Sequence, residues 1–162
     1  MNGKNSQEVF TGGSSATNDL AESIVMNPRA AANCDWSKFD GWNWARILSA
    51  RPEFADRCNW SKLEGGDWSC LLRAQPQFAG KCDWTKLGRK TALWRFLLRA
   101  QPKFAAKCPW TALSADEGAD LISAQPALAR VAKSALKRAG RTRRSRKKSR
   151  DGFASGYCSA PE

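Results

Sequence analysis

Apolar residues recur along this chain in one pattern. Trp44, Ile47 and Leu48 are spaced i, i+3, i+4, and the spacing returns at Trp68, Leu71 and Leu72 and at Trp94, Leu97 and Leu98. That spacing marks one face of an α-helix. A fourth set, Gly118, Leu121 and Ile122, keeps the apolar pair and loses the aromatic. Each pair leads to Pro52, Pro76, Pro102 or Pro126, and then to Phe54, Phe78, Phe104 or Leu128. The residue before a proline disfavours the helical region, so the first helix of each unit is predicted to end at Arg51, Gln75, Gln101 and Gln125. Proline suits the first position of a following helix, where its missing N–H costs nothing. That second helix places Phe54, Ala55 and Cys58 on one side.

A second motif closes each unit. Cys34, Cys58, Cys82 and Cys108 are followed two residues on by Trp36, Trp60, Trp84 and Trp110, and three further on by Phe39, Leu63, Leu87 and Leu113. Successive units are 24, 24 and 26 residues long, the extra two lying in Gly88–Leu93. Asp or Asn before Trp-Ser is suited to an Asx-type turn. Gly66-Asp67 just before Trp68 suits a turn and helix N-cap. The pattern reaches back through Pro28, Ile24-Val25 and Leu20 without its aromatics. Helices of about eight residues are unstable alone, so the units must stack, and their divergent ends fit terminal caps. The expected fold is all-α, a short α-solenoid of about four helix–turn–helix repeats. Its repeat domain is set at 20–139: a degenerate half-repeat at 20–33, repeats at 34–57, 58–81 and 82–107, and a capping copy at 108–139. Disordered segments are expected at 1–19 and 140–162. The Cys-x-Trp tryptophans read as core or inter-repeat packing, the second set is left open, and Trp42 is the candidate exposed aromatic.

These residues carry a likeness. Cys82-Asp83-Trp84-Thr85-Lys86-Leu87, with Leu71-Leu72-Arg73-Ala74-Gln75-Pro76-Gln77-Phe78-Ala79 before it, resembles a Trp-rich tandem repeat of uncharacterised bacterial proteins. There the unit runs C-D-W-S-K-L, W-x-x-L-L, Q-P-x-F-A-x-K. The likeness covers about residues 28–128 and implies a repeat fold without an attached activity. Pro109, where Asp is usual, and Gly118, where Trp is usual, depart from it in the last unit.

Charge changes the picture. The chain holds 27 Lys and Arg against 15 Asp and Glu, a formal +12, of which residues 129–162 supply +9 and residues 1–128 only +3. Leu128, Val131, Ala135 and Leu136 keep helical spacing, so 126–139 reads as a capping helix ending at Gly140. Beyond it no apolar residue interrupts Arg141–Arg150. Such a segment cannot offset its ordering entropy by burial, but it can hold polyanions by releasing their counterions. The candidate polyanion-binding set is Lys133, Lys137, Arg138, Arg141, Arg143, Arg144, Arg146, Lys147, Lys148 and Arg150, with DNA or RNA as ligand. An unidentified protein partner is expected on the repeats. Trp42, Arg46, Arg89, Lys90 and Arg95 are its candidate contacts, beside the variable positions Asn43, Ala45, Asp67, Ser69, Cys70 and Phe96. The alternative has the repeats bind nucleic acid themselves, with Lys38, Lys62 and Lys86 beside Trp36, Trp60 and Trp84 stacking bases.

Chemistry adds little. There is no His and no C-x-x-C pair, so neither a metal nor a cofactor is predicted, and no enzyme. Asp116, Glu117 and Asp120 read as a solvated helix start. Cys34, Cys58, Cys82 and Cys108 read as small buried hydrophobes. No stretch approaches the roughly 20 apolar residues that span a bilayer, and the N-terminus lacks the apolar run of a secretory signal. A soluble cytoplasmic protein is expected. The Ser/Thr/Asn-rich first 19 residues raise an exported bacterial effector as the alternative.

Overall fold

In the computed structural model, which describes residues 15–139, the period of the sequence becomes a period of backbone. The α-helices are α1 (Ser15–Met26), α2 (Gly41–Ala50), α3 (Gly65–Ala74), α4 (Thr91–Ala100) and α5 (Ala115–Ala124), followed by α6 at 128–139. Proline-led 3₁₀ helices run at Pro28–Asn33, Pro52–Arg57, Pro76–Gly80 and Pro102–Lys107. Short Trp-led 3₁₀ turns occupy Trp36–Lys38, Trp60–Lys62 and Trp110–Ala112. No strand occurs among the described residues, and the fold is all-α. It falls into two compact units, one ending at Gly88 and one beginning at Arg89. In the first, α1 packs on α2 and α2 on α3; in the second, α4 packs on α5. Each is a short α-solenoid stack of one module: α-helix, proline-led 3₁₀ helix, Trp turn.

Some local expectations change. The first helices end where proline predicts, with Arg51, Gln75, Gln101 and Gln125 as C-caps. The second helices are 3₁₀ rather than α. Only five residues separate Pro from Cys in each copy, and they close three-residue turns, as in Cys58 N–H to Ala55 O at 3.2 Å. The N-caps lie further upstream than Gly66-Asp67. Asp40 accepts the Asn43 amide at 2.8 Å. Asp67 is instead the third residue of α3, and its carboxylate accepts the Glu64 amide at 2.8 Å in a capping box. Residues 15–19, assigned by the sequence to the N-terminal segment, are the first turns of α1. They show no apolar period because the buried face of that helix begins at Ala21. Residues 1–14, Gly140 and the rest of the tail lie outside the described residues.

The tryptophans that the sequence leaves open are the most deeply buried. Trp44 and Trp68 in the first unit and Trp94 in the second are fully buried; so are Phe39, Ile47, Leu48, Leu63, Leu71, Leu72 and Leu87 in the first and Leu97 and Leu98 in the second. Trp36, Trp60 and Trp84 are half-buried. Trp36 stacks on Trp44 with ring centroids 5.2 Å apart and leans on Phe54; Trp60 does the same with Trp68 at 5.6 Å and with Phe78. Offset stacking of this kind adds about 1 kcal/mol per pair beyond area burial. Trp110 is buried, and its indole N–H donates to Ala105 O at 2.8 Å.

Two polar ladders tie successive copies together. Lys62 Nζ donates to Ser37 O and Phe39 O at 2.6 and 2.7 Å. One copy on, Lys86 Nζ donates to Ser61 O and Leu63 O, both at 2.7 Å. At the other end of the helices, Gln75 Nε2 reaches Ser49 O at 2.8 Å, Gln125 Nε2 reaches Arg99 O at 2.8 Å, and Arg51 Nε reaches Val25 O at 3.0 Å. The last carbonyls of a helix have no partner within it, so each copy satisfies orphan acceptors of the one before. The Asx turns form as expected, Asp35, Asn59 and Asp83 each accepting the amide two residues on at 3.0–3.2 Å.

Candidate functional site

The expected partner-facing positions divide under burial. Asn43, Ala45, Asp67 and Ser69 vary between copies yet are buried, so they are not surface for a partner. In the N-terminal unit Trp42 is 38% exposed, and Arg46, one turn on along α2, pairs with Glu22 of α1. In the C-terminal unit Arg89 and Lys90 are exposed before α4. Gly88, at φ 51°, turns the chain there in the left-handed region that favours glycine. Arg95 of α4 is taken up by two carboxylates of α5, Glu117 at 3.8 Å and Asp120 at 3.4 Å. Phe96, beside it, is exposed.

The recurrent lysines are committed elsewhere. Lys62 and Lys86 spend their ammonium groups on backbone carbonyls, and Lys86 also meets Glu64 at 3.4 Å. Only Lys38 points outward, paired loosely with Asp35 at 3.7 Å. The sequence read these side chains as candidate base-stacking partners. The signal that could have found their bonds was their fixed offset from the carbonyls of the preceding copy.

Thiol and carboxylate chemistry is muted. Burial pushes the Cys58, Cys82 and Cys108 thiols up to about 12, so they stay protonated at neutral pH. Cys108 is buried, while Cys34, Cys58, Cys70 and Cys82 are half-buried and unpaired. Cys34 lies in an open groove of about 450 Å³ with Pro28, Ala31, Trp36, Phe54 and Arg57, and burial raises its thiol too. Burial also raises the Asp67 carboxyl, against the bond from the Glu64 amide. Glu117 is held low by the Ser114 amide and the Thr91 hydroxyl. Among the described residues no group of His, Cys, Asp and Glu is placed to hold a metal ion.

Of the polyanion set, Lys133, Lys137 and Arg138 are exposed on α6. Arg141, Arg143, Arg144, Arg146, Lys147, Lys148 and Arg150 lie outside the described residues. No described helix is long and apolar enough to cross a membrane. Comparison of the chain with protein-family models, curated proteins and solved structures finds no match.

Proposed function

We propose that this is a non-enzymatic interaction protein whose helical repeats carry a protein partner and whose basic C-terminus grips nucleic acid. The observation that carries it is the placement of charge: 11 basic and 2 acidic side chains in residues 129–162, after repeats whose motif lysines are used internally. A polycation of this density binds duplex phosphates with little sequence preference and strong salt dependence. Arginine predominates in it, which favours bidentate phosphate contact. Candidate partner contacts are Trp42 with Arg46 in the first unit and, taken separately, Arg89, Lys90 and Phe96 in the second. A non-catalytic reading fits the carboxylates, since Glu117 and Asp120 serve Arg95 and Glu117 also closes a capping box. Half-buried, unpaired cysteines suit the reducing cytoplasm.

The test compares the full-length protein with a full-length variant in which Arg141, Arg143, Arg144, Arg146, Lys147, Lys148 and Arg150 are all changed to Gln. Binding to a labelled DNA duplex is followed over a salt series. The parent is expected to bind with an affinity on the order of micromolar at low salt, and the variant to lose most of it. Equal affinities at low salt refute the reading.

A further inference from the structure

The two units differ in charge balance. Residues 15–88 carry nine basic and nine acidic side chains, whereas residues 89–139 carry ten basic and three acidic. Two of those three acids, Glu117 and Asp120, share Arg95 as their ion-pair partner, a cluster that keeps one net negative charge. The nine other cations of the unit are all exposed. Three of them form a line along α6. Arg130, Lys133 and Lys137, at i, i+3 and i+7, fall within about 60° of one another around the helix and span about 10 Å of its length. The opposite side carries Leu128 and Ala132, both buried. Among the described residues none of the three has a carboxylate within salt-bridge distance.

We propose that this line is a preformed docking edge for the phosphate backbone of a nucleic-acid duplex, which the tail extends rather than constitutes. The inference rests on the reading above that nucleic acid is the ligand of the C-terminus. A helix packed on its other side holds the three cations in register, so little backbone ordering remains to be done on binding. A duplex presents one negative charge per about 1.7 Å of axis, enough to engage all three at once. Arg95 offsets one of the α5 carboxylate charges, and the unit keeps a surplus of seven basic side chains. A lipid surface fits α6 less well, because such a helix needs a broad exposed apolar face, and Leu136 is its one strongly exposed large apolar side chain.

The experiment uses the full-length protein, a labelled DNA duplex and a salt series. Three further full-length proteins are compared: R130Q/K133Q/K137Q, the tail-neutralised variant, and a control triple, R29Q/R57Q/K81Q, that removes equal charge from exposed positions of the N-terminal unit. Circular dichroism checks that each is folded. The slope of log affinity against log salt is expected to fall by about two to three units in the α6 triple, at about 0.9 for each phosphate no longer neutralised, and by less than about one unit in the control. If the α6 triple falls no further than the control while the tail variant loses binding, the docking edge is wrong and the tail alone is the grip. If the parent itself does not bind, both readings fall. Anionic phosphatidylserine vesicles are run in parallel. Binding to them as tight as to the duplex, and equally weakened in the α6 triple, overturns the nucleic-acid assignment.

Discussion

Lys62 and Lys38 stand at the same place in neighbouring copies, yet only Lys62 has a preceding Trp turn to reach. Its ammonium closes two carbonyls of that turn, while Lys38 lies in solvent beside Asp35. Lys62→Met is expected to cost about 2 kcal/mol in urea unfolding, because charge-assisted bonds are removed and acceptors orphaned. Lys38→Met is expected to stay within about 0.5 kcal/mol. Equal losses in the two would show that the ladder adds nothing. Asp67 supplies a pH signature. Burial holds its carboxyl above the ordinary range, and an acid raised in the native state weakens folding once the pH passes the unfolded value, about 4. Asp67→Asn removes that cost and keeps an oxygen for the Glu64 amide. Its melting temperature relative to the parent should climb as pH rises from about 4 toward neutrality, and a difference that stays flat rules the assignment out. Little of this was legible in the residues. Periodicity shows which letters recur. It could not rank Trp44 above Trp36, since recurrence, three copies of the first and four of the second, does not report depth, which the burial of each ring does.

The glycines of the helices show what an element tolerates. A Cβ on Gly41, at the start of α2, would lie 2.3 Å from Asp67 Oδ2 and 2.4 Å from Lys62 O. Backbone cannot yield as a side chain can, so Gly41→Ala is expected to destabilise by about 1–3 kcal/mol. Gly118, within α5, meets nothing within 4 Å, and it stands where other copies hold the core Trp. There Gly118→Ala should gain about 0.5–1 kcal/mol from helix propensity. Thermal or urea unfolding checks the pair, and the same sign for both would contradict the packing described. Element ends were readable because proline acts locally: Pro52, Pro76 and Pro102 fix both the end of one helix and the start of the next. Element type was not, because 3₁₀ and α segments of six residues share a sequence pattern and differ only in which carbonyl each amide reaches. The capping box of α3 was missed because Asp is a preferred N-cap type and Glu is not, so Asp67 drew the place that Glu64 occupies.

At the scale of the whole molecule, the repeat was plain in the sequence, and so was the concentration of charge. The boundary of that charge was not. Dividing the chain at residue 128 makes the repeats look near-neutral throughout, whereas the folded units divide at Gly88, with balanced charge before it and a surplus after it. Only the structure shows that Arg95 is taken up by Glu117 and Asp120 while Arg130, Lys133 and Lys137 have no carboxylate within salt-bridge distance among the described residues. The ladders have a consequence of a different kind. In the N-terminal unit, Lys62 and Gln75 serve acceptors of the preceding copy, and the following copy brings its own Lys86 for theirs. A 24-residue segment therefore carries both the donors its predecessor lacks and the acceptors its successor needs. Unequal recombination between such segments inserts or deletes a complete copy and leaves no broken bond inside the stack. Stack length is thus decoupled from the chemistry of any one copy, since the bonds that join two neighbours are the same wherever in the first unit they meet.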